Sequence, residues 1–424
     1  MDKFIIEGGE RLKGRVRISG SKNAALPLIA ATVLQGGRYT IGNVPRLRDV
    51  ETMIRLLAIL GGKTEWTEDN VLSVDTRNLD NHVAPYEIVK EMRASVLVLG
   101  SLVGALKKAT VSYPGGCAIG ERPINLHLQG LAALGCDIKI REGYVDVNAK
   151  RLKGGRVTFD TVTVGGTENI MMAAVLAKGE TVIENAAREP EVVDLARMLK
   201  RMGARIEGEG SEVIRIKGVD AMTPCDYEVI PDRIEAGTFI AACGITRGNI
   251  VIENCNPLHL KAVIEKMKEA GMEIEENENT IKAIMSRKRP VSADAKTIPY
   301  PGFPTDMQAQ IMALMSVSKG VSAVTETIFE NRMMHVAELR RMGADIRVIG
   351  NTAIVKGVER LSGARVMATD LRASASLIIA GLAAYGSTDV SRIYHIDRGY
   401  EKIEEKLKSL GAKIRRKKDE DLGA

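Results

Sequence analysis

The chain has 424 residues, of which 45% are hydrophobic and 27% are charged, and its formal net charge at pH 7 is +6. This length and apolar content allow roughly two or three domains with buried cores. Five Phe and one Trp are too few to supply the base-stacking surfaces typical of nucleic-acid binding. We therefore expect no nucleic-acid partner and attribute the positive charge to anionic small molecules.

Targeting, membrane and metal signals are weak throughout the sequence. The first residues lack the basic and then apolar layout of a secretory signal. The longest apolar run, Ser95–Leu106, is shorter than the ~20 residues needed to span a bilayer. We therefore expect no membrane partner. The five cysteines are widely spaced and lack zinc-binding intervals, which predicts free thiols, no metal, no cofactor and a cytoplasmic protein. They are Cys117, Cys136, Cys225, Cys243 and Cys255.

A repeat of about 70 residues runs along the whole chain. Six helix-like stretches each end in a small-residue stop whose central glycine suits a left-handed helix cap. An alternating segment follows each stop and is broken by Glu-Gly, Asn-Glu-Asn or Gly-Asn, which indicates a hairpin. The six central glycines are spaced 68 to 74 residues apart, at Gly61, Gly135, Gly203, Gly271, Gly343 and Gly411.

A second, apolar helix precedes each stop, and β-branched runs follow several of these helices. Each repeat is therefore predicted to be βαβαββ, with the apolar helix buried beneath a sheet. Three repeats are expected to share one core, giving an α/β fold with domains 22–229 and 1–21 plus 230–424. We expect the N-terminal strand Phe4–Ile18 to complete the last repeat. The predicted apolar helices are Asn23–Leu34, Arg93–Leu106, Asn169–Ala177, Glu235–Gly244, Asp306–Ser316 and Arg372–Tyr385.

Charged and polar residues recur at the predicted helix starts. A cation at a helix N-terminus opposes the helix dipole by roughly 0.3–1 kcal/mol, so its repetition favours a shared anion-binding cleft. The alternatives stay open: Asp306 and Asp370 could be ordinary first-turn acids, and a lone Arg could be solvated. The basic segment Lys413–Lys418 could be a solvated end or a binding arm. The recurring residues are Lys22, Asn23, Arg93, Asn169, Glu235, Asp306 and Arg372 in the first helices, and Arg48, Arg122, Arg188, Arg332 and Arg398 in the second.

The segment Tyr113–Pro123 combines three glycines with two prolines and contains Cys117. A thiol in a mobile loop, near a helix start and Arg122, is placed where it can become reactive. The alternative is a small apolar residue that fills a turn. Walker A, HExxH and GxSxG patterns are absent from the sequence, which argues against the corresponding phosphate-loop, zinc-protease and serine-hydrolase chemistries.

Several strings together closely resemble the UDP-N-acetylglucosamine 1-carboxyvinyltransferases, a family of enolpyruvyl transferases that begins peptidoglycan synthesis. The resemblance covers nearly the whole chain, and the Cys117 loop is its most specific part. One departure is the stretch Asp160–Val164, where some family members carry a Lys. The matching strings are Gly20–Ala25, Met92–Ser95, Gly115–Pro123, Gly302–Gln308, Glu330–Arg332, Thr369–Ser374 and His395–Tyr400.

The resemblance implies two inside-out, barrel-like α/β domains and a transfer of enolpyruvyl from phosphoenolpyruvate to UDP-N-acetylglucosamine. It implies that Cys117 is the acid for C3, that it can also form a covalent adduct with the donor, and that the protein is a target of fosfomycin. Asp306 would handle the hydroxyl proton, and Lys22, Arg122 and Arg398 would gather the donor's charges. The remaining implied substrate-binding residues are Asn23, Arg93, Pro123, Ile124, Asn125, Leu126, Thr161, Val162, Thr163, Val164, Ile328, Arg332, Asp370 and Arg372.

Two other functions remain open at this point. The sister enzyme 3-phosphoshikimate 1-carboxyvinyltransferase shares the fold and the donor but lacks this Cys-bearing loop. A basic repeat scaffold without catalysis would explain the repeats and the charge, but not a cysteine loop beside convergent Arg, Lys and Asp residues.

Overall fold

The computed structural model describes residues 2–113 and 124–418. It divides into two compact units. We call residues 20–113 and 124–230 unit A, and residues 2–19 and 231–418 unit B. The predicted residues Cys117, Arg122 and Pro123 lie outside the described ranges.

Unit A contains twelve described strands and seven described α-helices. Two strands that precede unit A in the chain belong to unit B. These two strands are β1 (Asp2–Glu7) and β2 (Lys13–Arg17). In unit A the strands are β3 (Arg38–Gly42), β4 (Lys63–Glu68), β5 (Val71–Asp75), β6 (Val83–Ala84), β7 (Lys108–Ser112), β8 (Asp137–Arg141), β9 (Tyr144–Asn148), β10 (Arg156–Thr158), β11 (Glu180–Glu184), β12 (Arg205–Glu207), β13 (Val213–Lys217) and β14 (Tyr227–Glu228). Its helices are α1 (Lys22–Ala31), α2 (Arg48–Ile59), α3 (Tyr86–Val89), α4 (Val98–Leu106), α5 (Asn125–Ala133), α6 (Val164–Ala174) and α7 (Pro190–Arg201).

The rest of unit B follows the same pattern. Its strands are β15 (Asn249–Glu253), β16 (Glu273–Glu276), β17 (Thr280–Ile284), β18 (Ala295–Lys296), β19 (Val321–Thr325), β20 (Asp345–Ile349), β21 (Thr352–Lys356), β22 (Arg365–Met367), β23 (Ser387–Ser391) and β24 (Lys413–Lys418). Its helices are α8 (Arg233–Ile245), α9 (Lys261–Glu269), α10 (Gln308–Met315), α11 (His335–Arg341), α12 (Leu371–Ala383) and α13 (Ile403–Ser409). Short 3₁₀ turns cover Thr32–Leu34, Arg93–Leu97, Pro257–Leu260, Thr305–Met307 and Ile393–Arg398.

The strands form six four-stranded sheets, three in each unit, with one pattern of parallel and antiparallel pairing; in one of them the place of the hairpin is taken by β1 and β24, which are far apart in the chain. In the sheet β10-β11-β13-β12, a short first strand pairs in parallel with the central strand, which pairs antiparallel with a hairpin. The other sheets are β14-β3-β5-β4, β6-β7-β9-β8, β2-β15-β17-β16, β18-β19-β21-β20 and β22-β23-β1-β24. The predicted βαβαββ repeat is confirmed.

The N-terminal segment differs from its prediction as a single strand over Phe4–Ile18. It forms two strands in two sheets of unit B: β1 pairs antiparallel with β23 and β24, and β2 pairs in parallel with β15. The glycines between them explain the break. Gly9 has a φ of 104°, and a Cβ on Gly8 would lie 2.1 Å from the Ala384 carbonyl oxygen. The segment therefore completes the last repeat, as predicted, and also starts the fourth.

The first helix of each repeat is buried on nearly all sides, as its composition predicts. In unit B these helices, α8, α10 and α12, pack against one another. In unit A, α4 packs against α6 so closely that a Cβ on Gly100 would lie 2.2 Å from the Asn169 carbonyl oxygen. The helices form the centre of each unit, and the sheets cover them.

All six predicted glycine stops adopt the left-handed conformation. Their φ values lie between 88° and 103°. Each glycine N–H bonds the carbonyl three residues earlier, as in the bond from Gly61 to Ala58 at 3.1 Å. A side chain is disfavoured in this conformation, which explains why glycine recurs at these positions.

The basic segment Lys413–Lys418 is strand β24 rather than a free tail. It pairs with β1 along its whole length. Arg416 forms ion pairs with Asp397, Glu404 and Asp2. Within residues 2–113 and 124–418, the helices are all too short or too polar to cross a membrane.

Candidate active site

Unit B brings three predicted site residues together around one carboxylate. Asp306 lies on the turn Thr305–Met307, which leads into α10. Its Oδ1 lies 2.7 Å from Arg332 Nη2 and its Oδ2 lies 2.9 Å from Arg372 Nη2. The side chains of Arg332 and Arg372 are only 5% and 4% exposed, whereas that of Asp306 is 26% exposed. The carboxylate is thus the accessible member of the cluster.

Charge pairing decides the ionisation of Asp306. Burial alone would raise the pKa of this carboxyl, but the Arg372 and Arg332 guanidinium groups outweigh burial and hold its pKa well below the usual range. Burial likewise works to lower the pKa of Arg372, and the Asp306 charge reverses that effect and raises it. Asp306 is therefore a carboxylate at neutral pH, held by two fixed cations.

The same cluster continues through Thr305 to a buried glutamate. Arg332 Nη1 donates to Thr305 Oγ1 at 2.8 Å, and Thr305 Oγ1 donates to Glu326 Oε2 at 2.8 Å. Glu326 Oε1 accepts the backbone N–H of Ile328 at 2.8 Å. The predicted substrate residue Ile328 is thus connected to Asp306 through a chain of hydrogen bonds.

Asp370 is the N-terminal cap of α12. Its Oδ1 accepts the N–H groups of Arg372 at 2.8 Å and of Ala373 at 3.1 Å. The capping interpretation that the sequence left open for this residue is therefore correct for that oxygen. The cap fixes the start of α12, which carries Arg372.

Two histidines lie near these charges. Burial lowers the pKa of His335 to about 4, with Asp370 opposing the shift and Arg332 adding to it. Burial, with the charge of Arg398, also lowers the pKa of His395. Arg398 is half-buried at the end of the turn Ile393–Arg398.

Unit A contains the other predicted residues at helix starts. Lys22 is the first residue of α1, and its Nζ lies 3.1 Å from Asp49 Oδ2. Asn23 follows it and is exposed. The first turn of α1 contains no acidic residue, so the positive end of its dipole is reinforced by Lys22 rather than neutralised within the helix.

The predicted nucleotide-binding segments lie at the starts of α5 and α6. Ile124 caps α5 without a side-chain hydrogen bond and is buried, while Asn125 is exposed and Leu126 is half-buried. Thr163 caps α6 by accepting the Gly166 N–H at 3.2 Å. The neighbours Thr161, Val162 and Val164 range from exposed to half-buried.

A buried histidine connects these two helices with Arg93. His127 Nδ1 accepts the Asn169 side-chain N–H at 2.8 Å, because the other Asn169 contacts fix its amide orientation. Burial and, to a smaller extent, the charge of Arg93 together lower the pKa of His127 to about 4. A Cβ on Gly165 would lie 3.2 Å from His127 Cε1. The ring therefore lies against the start of α6 and within reach of the charge of Arg93.

The prediction that matching residues open every first helix is wrong at Asn169. This residue is the sixth of α6, is fully buried, and accepts the Gly100 N–H at 2.6 Å. Glu235 is the third residue of α8 and pairs with Lys406 at 2.6 Å. Both side chains therefore serve packing within their units, and the repeated charge pattern is only partly a binding pattern.

The second helices also depart from one shared pattern. Arg48 is the first residue of α2 and is exposed, and Arg188 lies before α7 and pairs with Glu212 at 3.5 Å. Arg332 alone among the described members is almost fully buried against a carboxylate. Equivalent positions in the repeat thus have different roles.

Comparison with known proteins identifies the family of the chain. A family model described as EPSP synthase (3-phosphoshikimate 1-carboxyvinyltransferase) matches residues 6–407. A UDP-N-acetylglucosamine 1-carboxyvinyltransferase from Geobacter metallireducens is 58% identical over 99% of this chain and 100% of its own length. The protein of that name from Myxococcus xanthus is 56% identical over 99% of this chain and 100% of its own. The chain belongs to the UDP-N-acetylglucosamine 1-carboxyvinyltransferase family of enolpyruvyl transferases.

Solved structures agree on the fold. The enolpyruvyl transferase NikO from Streptomyces tendae has a TM-score of 0.88 at 24% identity, covering 98% of both chains. An EPSP synthase from Acinetobacter baumannii has a TM-score of 0.76 at 18% identity, covering 99% of this chain and 100% of its own. The fold prediction is confirmed. The sister-enzyme alternative corresponds only to a distant relative, and the scaffold alternative is wrong because this family consists of enzymes.

The structure adds three residues that the sequence interpretation missed: Glu326, His127 and His335. For Glu326 the repeat itself contained a signal. The residue after the central strand is Asn43, Asn185 or Asn254 in three repeats and Tyr113, Glu326 or Arg392 in the other three, so Glu326 is the one carboxylate at this position. The two histidines gave no local signal, since a lone histidine in an apolar helix is compatible with either burial or exposure. Within the described residues, groups of three or more His, Cys, Asp or Glu able to hold a metal ion are absent.

His127 should make unit A sensitive to acid. The unfolded histidine takes up a proton as the pH falls below 6.5, whereas the folded one stays neutral until about pH 4. The stability from this site is therefore present above pH 6.5 and is lost as the pH falls toward 4; between pH 6.5 and 5 the loss is about 2 kcal/mol. His127→Gln should be less stable than wild type at pH 7.5 but should show a smaller further fall in Tm at pH 5.

The matched control is His82→Gln, at a half-buried histidine in the same unit, which should retain most of the acid-induced fall. Thermal melts of the three proteins at both pH values are the measurement. Equal falls in wild type and His127→Gln would contradict a buried neutral imidazole at this position.

Proposed function

We propose that this enzyme transfers the enolpyruvyl group of phosphoenolpyruvate to the 3′-hydroxyl of UDP-N-acetylglucosamine and releases phosphate. The observation that carries the proposal is identity of 54–58% over nearly the full chain with enzymes named for this activity. The ionised Asp306 between two buried arginines supports it, since the reaction needs a proton acceptor and fixed positive charge. We also infer a cytoplasmic site of action, where nucleotide sugars are made.

The reaction is an addition followed by an elimination. The sugar hydroxyl adds to C2 of phosphoenolpyruvate while C3 gains a proton, which gives a tetrahedral ketal that still holds the phosphate. The C2–O bond to phosphate then breaks as C3 loses a proton, and the vinyl ether forms. Cys117 is proposed as the acid at C3 and as a nucleophile that can form an adduct with the donor, and Asp306 as the acceptor of the hydroxyl proton.

The low pKa of Asp306 has a consequence for this role. A carboxylate held far below its usual pKa is ionised but is a weak base. The donor has a carboxylate and a phosphate, and Arg332 and Arg372 would share their charge with such an anion. The pKa of Asp306 would then rise, and the carboxylate would become a stronger base when the substrates are bound.

The proposed anion sites are helix starts and the cations beside them. Lys22 at the start of α1, with Arg122 and Arg398, would hold the phosphate and carboxylate of the donor. The starts of α5 and α6 contain no acidic residue in their first turns, which suits the uridine diphosphate. Pro123, Ile124–Leu126 and Thr161–Val164 would therefore contact the nucleotide. Asn23, Arg93, Ile328 and Asp370 would complete the binding residues.

Acceptor choice tests the function directly. Phosphate release from phosphoenolpyruvate should occur with UDP-N-acetylglucosamine and stay at background with shikimate 3-phosphate. Release with shikimate 3-phosphate alone would assign the sister activity. Background release with both acceptors, from protein with a normal melting transition, would overturn the enolpyruvyl transfer.

Asp306→Asn should lower kcat by about two or more powers of ten, the scale for loss of an acid–base group. The substitution keeps the size of the side chain and removes its charge and its ability to accept a proton. Steady-state kinetics and a melting curve on the same preparation are the measurement. Asp294→Asn is the control, because Asp294 is an exposed carboxylate in unit B whose Oδ1 accepts the Ala323 N–H at 2.8 Å.

If Asp306 only stabilised the helix start, the variant would lose ~1 kcal/mol of its free energy of unfolding and retain wild-type kcat. The control should match wild type in kcat. A variant at Asp306 with unchanged kcat would remove it from the chemistry.

Cys117 should react with iodoacetamide or fosfomycin before the other four cysteines. Burial raises the pKa of the Cys243 and Cys255 thiols to about 12 and that of Cys136 to about 11, and it also raises the pKa of Cys225. Thiolate is the reacting form, so these four should be slow. Peptide mapping at substoichiometric reagent gives the order of labelling.

Cys117→Ser is the matched variant, and it should fold normally, take up no early label and be severely impaired in turnover. Labelling of Cys225 or Cys136 ahead of Cys117 would contradict the assignment of the reactive thiol.

A further inference from the structure

Glu326 is a buried carboxylate that follows β19 and is only 3% exposed. Both of its oxygens accept hydrogen bonds. Oε1 accepts from Thr297 Oγ1 at 2.8 Å and from the N–H groups of Ile328 at 2.8 Å and Phe329 at 3.2 Å. Oε2 accepts from Thr305 Oγ1 at 2.8 Å. Four donors from three chain segments therefore converge on one side chain.

Glu326 occupies a position at which three of the six repeats have a structural asparagine. After the central strands β3, β11 and β15, the next residue is Asn43, Asn185 or Asn254, with φ of 54° to 55°. Each asparagine Nδ2 donates at 2.8 Å to a carbonyl just beyond the parallel first strand: those of Val229, Phe159 and Ile18. Glu326 makes the corresponding connection to Thr297, just beyond β18. The three asparagines make this link as donors, whereas Glu326 makes it as an acceptor through Oε1 and has its second oxygen, Oε2, available for Thr305.

The second oxygen of Glu326, Oε2, acts on the Thr305 hydroxyl. A threonine hydroxyl has a single hydrogen to donate, and a carboxylate only accepts. Glu326 therefore directs the Thr305 hydroxyl hydrogen toward itself and leaves the oxygen lone pairs for Arg332 Nη1, which donates at 2.8 Å. The other nitrogen of Arg332, Nη2, donates to Asp306 Oδ1 at 2.7 Å. The order is Glu326, Thr305, Arg332 and Asp306, and each donor faces an acceptor.

We propose that Glu326 is a positioning residue which, through Thr305, fixes the Arg332 guanidinium against the carboxylate of Asp306. The inference rests on the proposed function of Asp306. Neither Glu326 nor Thr305 is assigned contact with the substrates. Glu326 also holds the N–H of Ile328, so the same carboxylate orders a proposed substrate-binding residue.

Substitutions on the Oε2 side separate this role from the strand link. Thr305→Val keeps the branched shape and removes both hydroxyl bonds, and Thr305→Ser restores the hydroxyl. In Glu326→Gln the amide oxygen can still accept the Ile328 and Phe329 N–H groups. Its Nε2 then faces Thr305 as a second donor, competes with Arg332 for the hydroxyl lone pairs, and leaves the hydroxyl hydrogen without the acceptor that fixed its direction. The control is Thr325→Val, because the Thr325 hydroxyl instead contacts Thr352 Oγ1 at 3.0 Å across the strands.

The measurement is phosphate release at varied UDP-N-acetylglucosamine and phosphoenolpyruvate, with melting curves for every variant. Thr305→Val and Glu326→Gln should each lower kcat by roughly 10- to 100-fold, the range for a misplaced catalytic group, with the KM for the sugar nucleotide changed by less than about threefold. Thr305→Ser should recover most of kcat, and Thr325→Val should match wild type. The double variant should be no slower than the worse single variant, because both act through one chain of bonds.

Thr305→Val with wild-type kcat would overturn the proposal, as would additive losses in the double variant. A purely structural role would lower Tm and leave kcat unchanged, and it would also overturn the proposal. Wild-type protein that releases no phosphate would instead reject the proposed function. The two failures are thus distinguished by the wild-type assay within the same experiment.

Discussion

A repeat of about 70 residues cannot bury its own apolar helix, and the rest of this structure follows from that constraint. One four-stranded sheet covers only part of a helix that is hydrophobic on nearly all sides. Three repeats solve the problem by placing α8, α10 and α12 against one another at the centre of unit B, with their sheets outside. The close approach of α4 and α6 at Gly100 in unit A shows how little space such a shared core leaves.

Burial of these helices leaves their ends as the places where polar chemistry can occur. Helix starts present N–H groups and a positive dipole, and the predicted anion-binding residues lie there, from Lys22 on α1 to Thr163 at α6. The repeats do not use these positions alike. Asn169 and Glu235 serve packing and pairing within their units, whereas Arg372 near the start of α12 faces a catalytic candidate. Equivalent positions of the repeat therefore differ in their surroundings, and the proposed site uses only some of them.

The electrostatics of unit B centre on Asp306. Two nearly buried guanidinium groups would each cost free energy without a counter-charge, and the single carboxylate compensates both. This pairing keeps the Asp306 carboxylate ionised and weakly basic. An anion that competes for the two arginines would raise the pKa of Asp306 and make it a stronger base. Glu326 is a second carboxylate near Arg332. Thr305 lies between Glu326 and Arg332: its hydroxyl donates to Glu326 and accepts from Arg332. The bonds that hold the two arginines in place are thus the same bonds that set the ionisation of Asp306.

The sequence by itself determined the repeat, its helices and hairpins, and the six glycine caps, because burial period and backbone conformation are properties of local segments. It also singled out Asp306, Arg332 and Arg372 through resemblance to a family. Only the tertiary structure decided that β1 and β2 belong to different sheets, that Asn169 lies inside α6, and that His127 and Glu326 are buried among polar partners. Those outcomes depend on segments far apart in the chain, such as β1 against β23 or Arg372 against Asp306, and no local pattern records which distant partner a residue will meet.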